Sequence, residues 1–314
     1  MKGLRRLMLP AVAATVMVAA TGCFTGIEST PRITADDVRH AGIRTTDEQA
    51  LNAALVAPAP AAWHPGKQWL VDDSKIALIF TSPAPGAADS LAGSTLTLAA
   101  VDTVRALTGI DEISLALATP AGAVLNYRPG IPADQWTSRA ALAIPFTIEL
   151  ETVARADSLM RGRTFYITTP DWFDAAGHSV TGRRHVPVRV SGVGPGTERY
   201  PLRVAFTATD RPDSATYSVF LTCGNSPAAT RNFDRLFSFT DPRTRYPRIT
   251  DETWALIVRS QVVPGMTRDE CRLALGTPAS IDRRPGTAAQ YEMWTYDTGV
   301  YLIFEDGVLT QFRK

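Results

Sequence analysis

The sequence predicts an α+β protein in which a β-rich N-terminal and middle region precedes a C-terminal domain of two helices and three strands. Two observations predict this fold class. Short segments of alternating apolar and polar residues recur between residues 63 and 221, separated by turn residues, which is typical of small barrels or sandwiches. After residue 246 the pattern changes to two capped helices and then to strands joined by short Asp- and Gly-containing turns.

The composition is that of an ordinary globular protein with nearly balanced charge. The 314 residues are 45% hydrophobic and 20% charged, and 32 basic against 31 acidic side chains leave a formal net charge of +1. Because such a balance creates no large positive field, a nucleic-acid partner is not expected. The long apolar run lies at the N-terminus alone, so a polytopic membrane protein is not expected either.

Residues 1–22 have the pattern of a signal peptide. Three basic residues precede an apolar stretch from 7 to 20, which is shorter than the about 20 residues that a membrane-spanning helix needs. Ala20-Thr21-Gly22 then lead directly to Cys23. This junction resembles the lipobox of bacterial lipoproteins, in which the cysteine thiol is acylated and becomes the first residue after cleavage. The alternative is an ordinary secretory signal followed by an incidental cysteine.

The lipobox resemblance implies attachment to a lipid bilayer through acylated Cys23. Residues 1–22 hold three basic and no acidic side chains, so the remaining chain has a net charge of −2. Without a polybasic patch for anionic lipid, the acyl chains must supply the attachment. We therefore expect the protein in the cell envelope, on the outer membrane and facing the periplasm.

Changes of pattern divide the chain into five segments. They are a signal peptide (1–22), a tether with short helices (23–62), a β-rich domain (63–150), a second β-rich domain (151–245) and an α+β domain (246–314). In the tether, Thr34 and Thr46 are predicted helix N-caps, and Gln49 completes a capping box with Thr46.

Strands are predicted in the two β-rich domains wherever apolar and polar residues alternate. Residues 68–71 and 76–80 flank a polar turn and predict a hairpin. Further strands are predicted at 96–98, 113–117, 123–127, 164–167, 185–190, 203–206 and 217–221. Gly66, Gly93 and Gly162 each lead into such a strand. These glycine-led strands resemble those of bacterial SH3-like barrels, which bind cell wall or peptides.

The C-terminal domain is predicted from its helix caps. Thr250 starts a helix that runs to about residue 259, with two acidic residues in its first turn. Thr267 and Glu270 form the capping box of a second helix. Met266 and Cys271 occupy the positions of a hydrophobic staple, and Gly276 followed by Pro278 ends the helix. Three strands are expected at 291–296, 300–304 and 308–312.

The motifs of this domain resemble the SmpA/OmlA (BamE-like) family over residues 247–314. The resemblance rests on Gly265-Met266-Thr267, Glu270, Leu275-Gly276-Thr277-Pro278, Trp294-Thr295-Tyr296, Leu302-Ile303-Phe304 and Asp306-Gly307-Val308. It implies a two-helix, three-stranded domain of a kind often found on outer-membrane lipoproteins. The best-known member is a subunit of the β-barrel assembly machine, and protein inhibitors of β-lactamases are similar in fold. The motif residues are expected to have structural rather than catalytic roles.

Two cysteines remain once Cys23 is assigned to the lipid. Cys223 follows the strand at 217–221, and Cys271 lies in the second C-terminal helix. An exported protein can form disulfides, and two cysteines allow one pairing. The alternative is two separately buried thiols. Thiol catalysis is not expected, because no C-x-x-C motif or Cys/His arrangement is present.

The sequence predicts no catalytic residue, no cofactor and no metal ion. It contains no G-x-S-x-G, H-E-x-x-H, Walker or EF-hand motif. Gly192–Gly196 is expected to be a turn, and His178 and His185 lack the neighbouring ligands of a metal site. Trp63 and Trp172 stand beside proline-containing segments and are expected to be either core residues or surface anchors for a partner.

These observations predict a membrane-anchored envelope lipoprotein that acts without catalysis. The expected role is that of an interaction or scaffold protein in outer-membrane assembly or maintenance, with an envelope protein as partner. The alternative is a protein inhibitor of an envelope hydrolase, by analogy of fold. A third reading, an enzyme whose site is dispersed in the sequence, has no motif in its favour.

Overall fold

A computed structural model describes residues 46–81, 91–211, 215–224, 230–285 and 290–313. The predicted signal peptide, Cys23 and the helix start at Thr34 lie outside these residues. In the part described, the chain is an α+β protein rich in strands, with three antiparallel sheets and short helices. The predicted fold class is confirmed at this level.

The first sheet contains five strands: β1 (Gln68–Val71), β2 (Thr95–Arg105), β3 (Asp111–Ala118), β4 (Val124–Tyr127) and β5 (Thr147–Glu149). They are arranged in the order β4-β3-β2-β1-β5. Alternate leucines of β2 and β3 form the centre of its core, which is what the sequence alternation requires. These buried residues are Leu96, Leu98, Leu115 and Leu117.

The hairpin predicted for residues 68–71 and 76–80 is wrong. Strand β1 pairs with β2 and β5, and Ser74–Ile79 forms a 3₁₀ helix. The Asp73 carboxylate accepts a hydrogen bond from the main-chain N–H of Lys75 at 2.9 Å and caps this helix. Ile76 is fully buried, so the apolar run that suggested a strand fills the core from a helical turn. Short apolar runs do not distinguish the two conformations.

The second sheet contains seven strands: β6 (Thr164–Ile167), β7 (Asp171–Phe173), β8 (Ser179–Thr181), β9 (Val186–Pro195), β10 (Leu202–Ala208), β11 (Thr216–Leu221) and β12 (Phe237–Ser238). Their order is β12-β6-β9-β10-β11-β7-β8. Three helices contribute side chains to its core: α1 (Asp47–Ala54), α2 (Leu150–Met160) and α3 (Phe233–Leu236). The capping box of Thr46 and Gln49 at the start of α1 is confirmed.

The SH3-like barrels are not confirmed. In the residues that the structure describes, none of the three sheets closes into a barrel. The glycine-led strands β1 and β2 lie in the first sheet, whereas β6 lies in the second. Their similar sequences therefore reflect similar turns before strands and not one repeated barrel.

The third sheet follows helices α4 (Asp251–Val258) and α5 (Arg268–Leu275). Its strands are β13 (Ser280–Pro285), β14 (Gln290–Thr295), β15 (Tyr301–Glu305) and β16 (Val308–Arg313), in sequential order. The sheet has four strands where three were predicted. Strand β13 lacks an alternating apolar pattern, and it is held by pairing with β14 over its whole length.

The predicted caps of α4 and α5 are confirmed. Thr250 accepts a hydrogen bond from the N–H of Thr253, and Thr267 forms the capping box with Glu270. Gly276 ends α5 with φ 90° and ψ −166°, a conformation reached almost exclusively by glycine. Met266 and Cys271 are both buried in the core of this domain, as the staple positions require.

Candidate functional site

A polar cleft of about 610 Å³ lies where loops of the second sheet meet helix α5. We call it the arginine cleft. Its size is within the range of about 300–1,000 Å³ that is typical of ligand sites. Its walls come from segments between residues 168 and 277 that are distant in sequence. The lining residues are Thr168, Thr169, Asp171, Arg184, His185, Tyr200, Thr230, Arg231, Arg235, Leu236, Tyr246, Asp269, Arg272, Leu273, Gly276 and Thr277.

Arg184 and His185 connect the second sheet to the C-terminal end of α5. The Arg184 guanidinium donates to the main-chain oxygens of Thr168 at 2.8 Å and Leu275 at 3.3 Å. The imidazole Nε2 of His185 lies 3.0 Å from the oxygen of Leu273. Both residues thus bind carbonyl groups that the last turn of a helix leaves unpaired, and the Arg184 cation also faces the negative end of the helix dipole.

The pKa of the His185 imidazole is lowered from its ordinary value of 6.5. Burial is the main cause, and the neighbouring Arg184 cation adds to it. The hydrogen bond to Leu273 and the more distant charge of Asp241 act in the opposite direction. His185 is therefore neutral at pH 7 and adds no charge to the cleft. The charged residues of the lining are four arginines and two aspartates, so the cleft has a net positive charge.

The guanidinium of Arg231 is only partly hydrogen-bonded. Its Nε donates to the oxygen of Phe220 at 2.8 Å, and its Nη1 lies 4.0 Å from a carboxylate oxygen of Asp171. Its Nη2 is buried and has no hydrogen-bond partner among the described residues. The guanidinium also lies 5.5 Å from the ring of Tyr200, which fixes its direction.

Two further arginines reach the cleft from helices. Arg235 lies on α3 and is exposed. Arg272 lies on α5, where its guanidinium is 5.0 Å from the ring of Trp294 and its Nη1 is 3.8 Å from Asp269. Of the four arginines in the lining, Arg231, Arg235 and Arg272 thus approach the cleft from three different segments, and an aspartate lies near Arg231 and near Arg272.

The outer face of the third sheet is a second surface of interest. Cross-strand pairing places Met293 opposite Ile303, and Thr295 opposite Tyr301. Tyr291 and Met293 are 41% and 40% exposed. A depression of about 250 Å³ is lined by Asp282, Tyr291, Glu292, Met293 and Ile303. We call Tyr291, Met293, Tyr301 and Ile303 the outer-face cluster.

The two tryptophans predicted as core residues or surface anchors differ in burial. Trp172 is 3% exposed, and its indole N–H donates to the oxygen of Thr169 at 2.9 Å. It is a core residue, so the surface-anchor reading is wrong for Trp172. Trp63 is half-buried and makes edge contacts with Trp69 and Trp136 at 5.0 and 5.8 Å between ring centroids.

The two cysteines are free thiols and pack in different places. Cys271 is buried in the core of the C-terminal domain, whereas Cys223 packs against the core of the second sheet. Burial raises the pKa of each thiol to about 12. The structure therefore has two separately packed thiols and no disulfide between them. The reason is that α5 directs the side chain of Cys271 into the core of the C-terminal domain.

Sequence reasoning found the structural motif of the C-terminal domain but missed the arginine cleft. Gly265, Thr267, Glu270 and Gly276 lie at the turns and caps for which they were selected. Pro278 is buried just after α5. A signal for the cleft exists in the sequence, because arginines are dense between residues 231 and 248 and Arg183-Arg184-His185 is a basic triplet. Neither pattern shows that these segments meet.

In the part of the chain that the structure describes, no group of His, Cys, Asp and Glu could hold a metal ion. The same residues include no helix long and apolar enough to cross a membrane. Comparison with known protein families, with curated proteins and with solved structures gives no match to this chain.

Proposed function

We propose that the protein is a lipid-anchored protein of a bacterial cell envelope that works by binding a partner and not by catalysis. The sequence around Cys23 supports the anchor, since small residues followed directly by cysteine end a signal-like segment. The C-terminal segment supports the proposal of a BamE-like domain, because two capped helices precede antiparallel strands as that resemblance implies, with four strands in the sheet where the resemblance implies three. In this proposal the protein stands on the outer membrane, faces the periplasm and serves as an interaction or scaffold protein.

The outer-face cluster is the observation that carries the binding role. Strands that pack one face on a core normally place polar residues on the other face. Here Tyr291, Met293, Tyr301 and Ile303 lie together on the face opposite the buried Trp294 and Leu302. Apolar residues grouped on an exposed sheet face are typical of protein interaction sites.

The charges at the edge of the cluster indicate the chemistry of the partner. Asp282 lies beside Met293 on β13, and Glu305 lies beside Tyr291 on β15. Arg284 lies opposite Tyr291 on β13, so residues of both charges border the cluster. The proposed partner is therefore an envelope protein that presents an apolar patch with acidic and basic side chains at its edge, since complementary charge favours correct encounter. Arg313 lies opposite Tyr301 on β16, at the other side of the cluster from Asp282.

Site-specific photo-crosslinking tests this proposal. A photoreactive amino acid replaces Met293, and the matched control carries it at Leu107, a fully exposed residue outside the third sheet. We expect a defined adduct with one envelope protein from position 293 and none from position 107. The adduct should be lost when Ile303→Asp places a charge in the cluster. The absence of an adduct at 293 in folded, membrane-bound protein would contradict the proposal.

The identity of the crosslinked protein separates the two candidate roles. A barrel-assembly or cell-wall component supports the interaction or scaffold role. A hydrolase that is captured in a one-to-one adduct and loses activity supports the alternative, an inhibitor of an envelope hydrolase. Both roles use the outer-face cluster, so the same variants serve for both.

A further inference from the structure

We propose that the arginine cleft binds a phosphate ester with a hydroxyl-bearing body. This site is separate from the outer-face cluster, and no catalytic step is involved. Four arginines line the cleft, one of them has a buried nitrogen without a partner among the described residues, and polar groups lie between them.

In the part of the chain that the structure describes, Arg231 has an unused hydrogen-bond donor in the cleft. A buried guanidinium nitrogen without a partner is costly, and such groups are normally satisfied by protein, water or ligand. Arg231 has this arrangement, because its Nε is bonded to Phe220 while its buried Nη2 has no partner among the described residues. Tyr200 lies beside the guanidinium and keeps it in place. The side chain is thus held ready to donate to an acceptor in the cleft.

The charge of the cleft selects an anion. Arg184 is bonded to carbonyl oxygens, which leaves its positive charge uncompensated by a close carboxylate. The two aspartates of the lining lie no closer than 3.8 Å to the arginine nitrogens that they face. Such spacing is loose for a paired arginine and carboxylate, whose N–O distances are about 2.7–2.9 Å. A ligand oxyanion can therefore take the closer position.

The directions of the arginines favour phosphate over carboxylate. Arg231 lies before α3, Arg235 on α3 and Arg272 on α5. A carboxylate has two oxygens in one plane and suits one arginine fork, whereas a phosphate ester has three terminal oxygens that accept from several directions. Clusters of arginines are the usual means of recognising phosphate groups.

The rest of the lining selects the body of the ligand. Thr230 and Thr277 supply hydroxyl groups, and Tyr200 and Tyr246 supply phenols. The hydroxyl groups of Thr168 and Thr169 also line the cleft, but they are already hydrogen-bonded to the main chain of Arg235 and Asp171. Two leucines and one glycine contribute the remaining surface. A body with several hydroxyl groups matches these partners, and a cleft of about 610 Å³ accommodates more than the phosphate group itself.

Calorimetric titration of the folded protein tests the proposal with glycerol phosphate as probe. Three compounds serve as comparisons. Inorganic phosphate lacks the hydroxyl-bearing part of the ligand, and glycerol lacks the phosphate group. Glycerate carries a carboxylate in place of the phosphate. We expect glycerol phosphate to bind more tightly than inorganic phosphate or glycerate, and glycerol not to bind. Vesicles with and without phosphatidic acid distinguish a lipid headgroup from a free ester: if the vesicles bind and the soluble esters do not, the source is the membrane.

Variants assign the binding to the cleft. Arg235→Gln and Arg231→Gln should each weaken the affinity for glycerol phosphate about tenfold, which is the loss expected for one charge-assisted contact. Arg105→Gln is the matched control, because Arg105 is exposed on β2 and pairs with Asp111 outside the cleft. Circular dichroism verifies that each variant is folded. Equal affinity in Arg235→Gln, Arg231→Gln and wild type, or no binding of any phosphate probe by wild type, would overturn the proposal.

Discussion

The imidazole Nε2 of His185 lies 3.0 Å from the main-chain oxygen of Leu273, so the residue that precedes β9 is hydrogen-bonded directly to helix α5. Because a carbonyl oxygen only accepts, Nε2 must carry the proton, and in the neutral ring Nδ1 is then an acceptor. Nδ1 is buried and has no hydrogen-bond partner within the described ranges. A second proton there would be buried beside Arg184. The stability of the contact between the second sheet and helix α5 should therefore depend on pH.

We expect the free energy of unfolding to fall as the pH drops below about 6.5. The pKa of His185 is lower in the folded state than in the unfolded chain, so the unfolded state binds more protons in this range. The stability contributed by the neutral imidazole is fully present above the pKa of the unfolded chain, and it is lost as the pH falls towards the pKa of His185 in the folded protein. Urea unfolding of wild type and His185→Asn at a series of pH values measures it. Asparagine tolerates the positive φ of 57° at this position.

His178 supplies the matched control for the pH experiment. It is exposed and lies 3.4 Å from a carboxylate oxygen of Asp174. His185→Asn should flatten the pH dependence between about pH 7 and about pH 5, and His178→Asn is the reference for the loss of an exposed imidazole. Identical slopes in wild type and His185→Asn would mean that this imidazole does not resist protonation.

The second prediction concerns the two ends of α5. Thr267→Ala removes the acceptor for the N–H of Glu270 and should lower the free energy of unfolding by about 1 kcal/mol. Gly276→Val should lower it further, because a β-branched residue resists the φ of 90° found there. Thr298→Ala, in an exposed turn, is the control. If all three variants unfold at the same urea concentration, the residues at the two ends of α5 do not contribute to stability.

The parts of the fold that the sequence predicted are local. The capping box of Thr267 and Glu270 needs two residues three positions apart, so a short window contains all of its chemistry. Strand β13 was missed because Ser280–Pro285 has no alternating pattern, and its conformation comes from pairing with β14. The 3₁₀ helix at Ser74–Ile79 was not predicted for a different reason, because a short apolar run with a buried Ile76 suits a strand and a helical turn equally.

The arginine cleft could not be predicted because its parts are brought together by the tertiary fold. Thr168 and Thr277 line the same cavity although more than a hundred residues separate them. Composition gives arginine counts, but it does not show which arginines are paired and which keep a free donor. The distinction between Arg231 and Arg184 depends on hydrogen bonds that only the packed chain defines.

The third prediction is that Cys223 and Cys271 remain reduced. Denatured protein carrying Cys23→Ala should react with two equivalents of a thiol reagent without prior reduction. The native protein should react slowly at pH 8, because burial raises the pKa of both thiols to about 12 and leaves little thiolate. Finding no free thiol in the denatured protein would establish a disulfide and contradict the packing of the two cores.

The fourth prediction concerns the lipid anchor. Wild-type protein should incorporate a labelled fatty acid and fractionate with membranes, and its mass should correspond to a chain beginning at acylated Cys23. Cys23→Ala should lose the label, because the acylated thiol is gone. Cys223→Ala is the control, since that side chain packs against the core of the second sheet and lies far along the chain from the signal-like segment. A cleaved protein with an unmodified Cys23 would rule out the anchor while leaving the proposed surfaces unaffected.

The fifth prediction concerns Lys67, whose side chain has no exposed surface. Its ammonium group forms ion pairs with Glu149 at the end of β5 and with Glu151 in the first turn of α2. It also lies 5.9 and 5.7 Å from the rings of Trp63 and Trp69. The hydrogen bond from Lys67 lowers the pKa of Glu151, which shows that the ammonium favours the charged carboxylate. Lys67 therefore joins the first sheet to the helix that packs on the second.

Lys67→Ala should lower the free energy of unfolding by about 3 kcal/mol, because it leaves Glu149 largely buried without its partner and removes the aliphatic stem between the tryptophans. Lys67→Met should lower the free energy of unfolding less, because methionine keeps the aliphatic stem and removes only the charge. Lys75→Ala is the matched control: its pair with Asp73 is exposed, and such pairs contribute about 0–1 kcal/mol. Urea unfolding followed by tryptophan fluorescence measures all three. If Lys67→Ala and Lys75→Ala lose equal stability, the ammonium of Lys67 is solvated and does not hold β1 to α2.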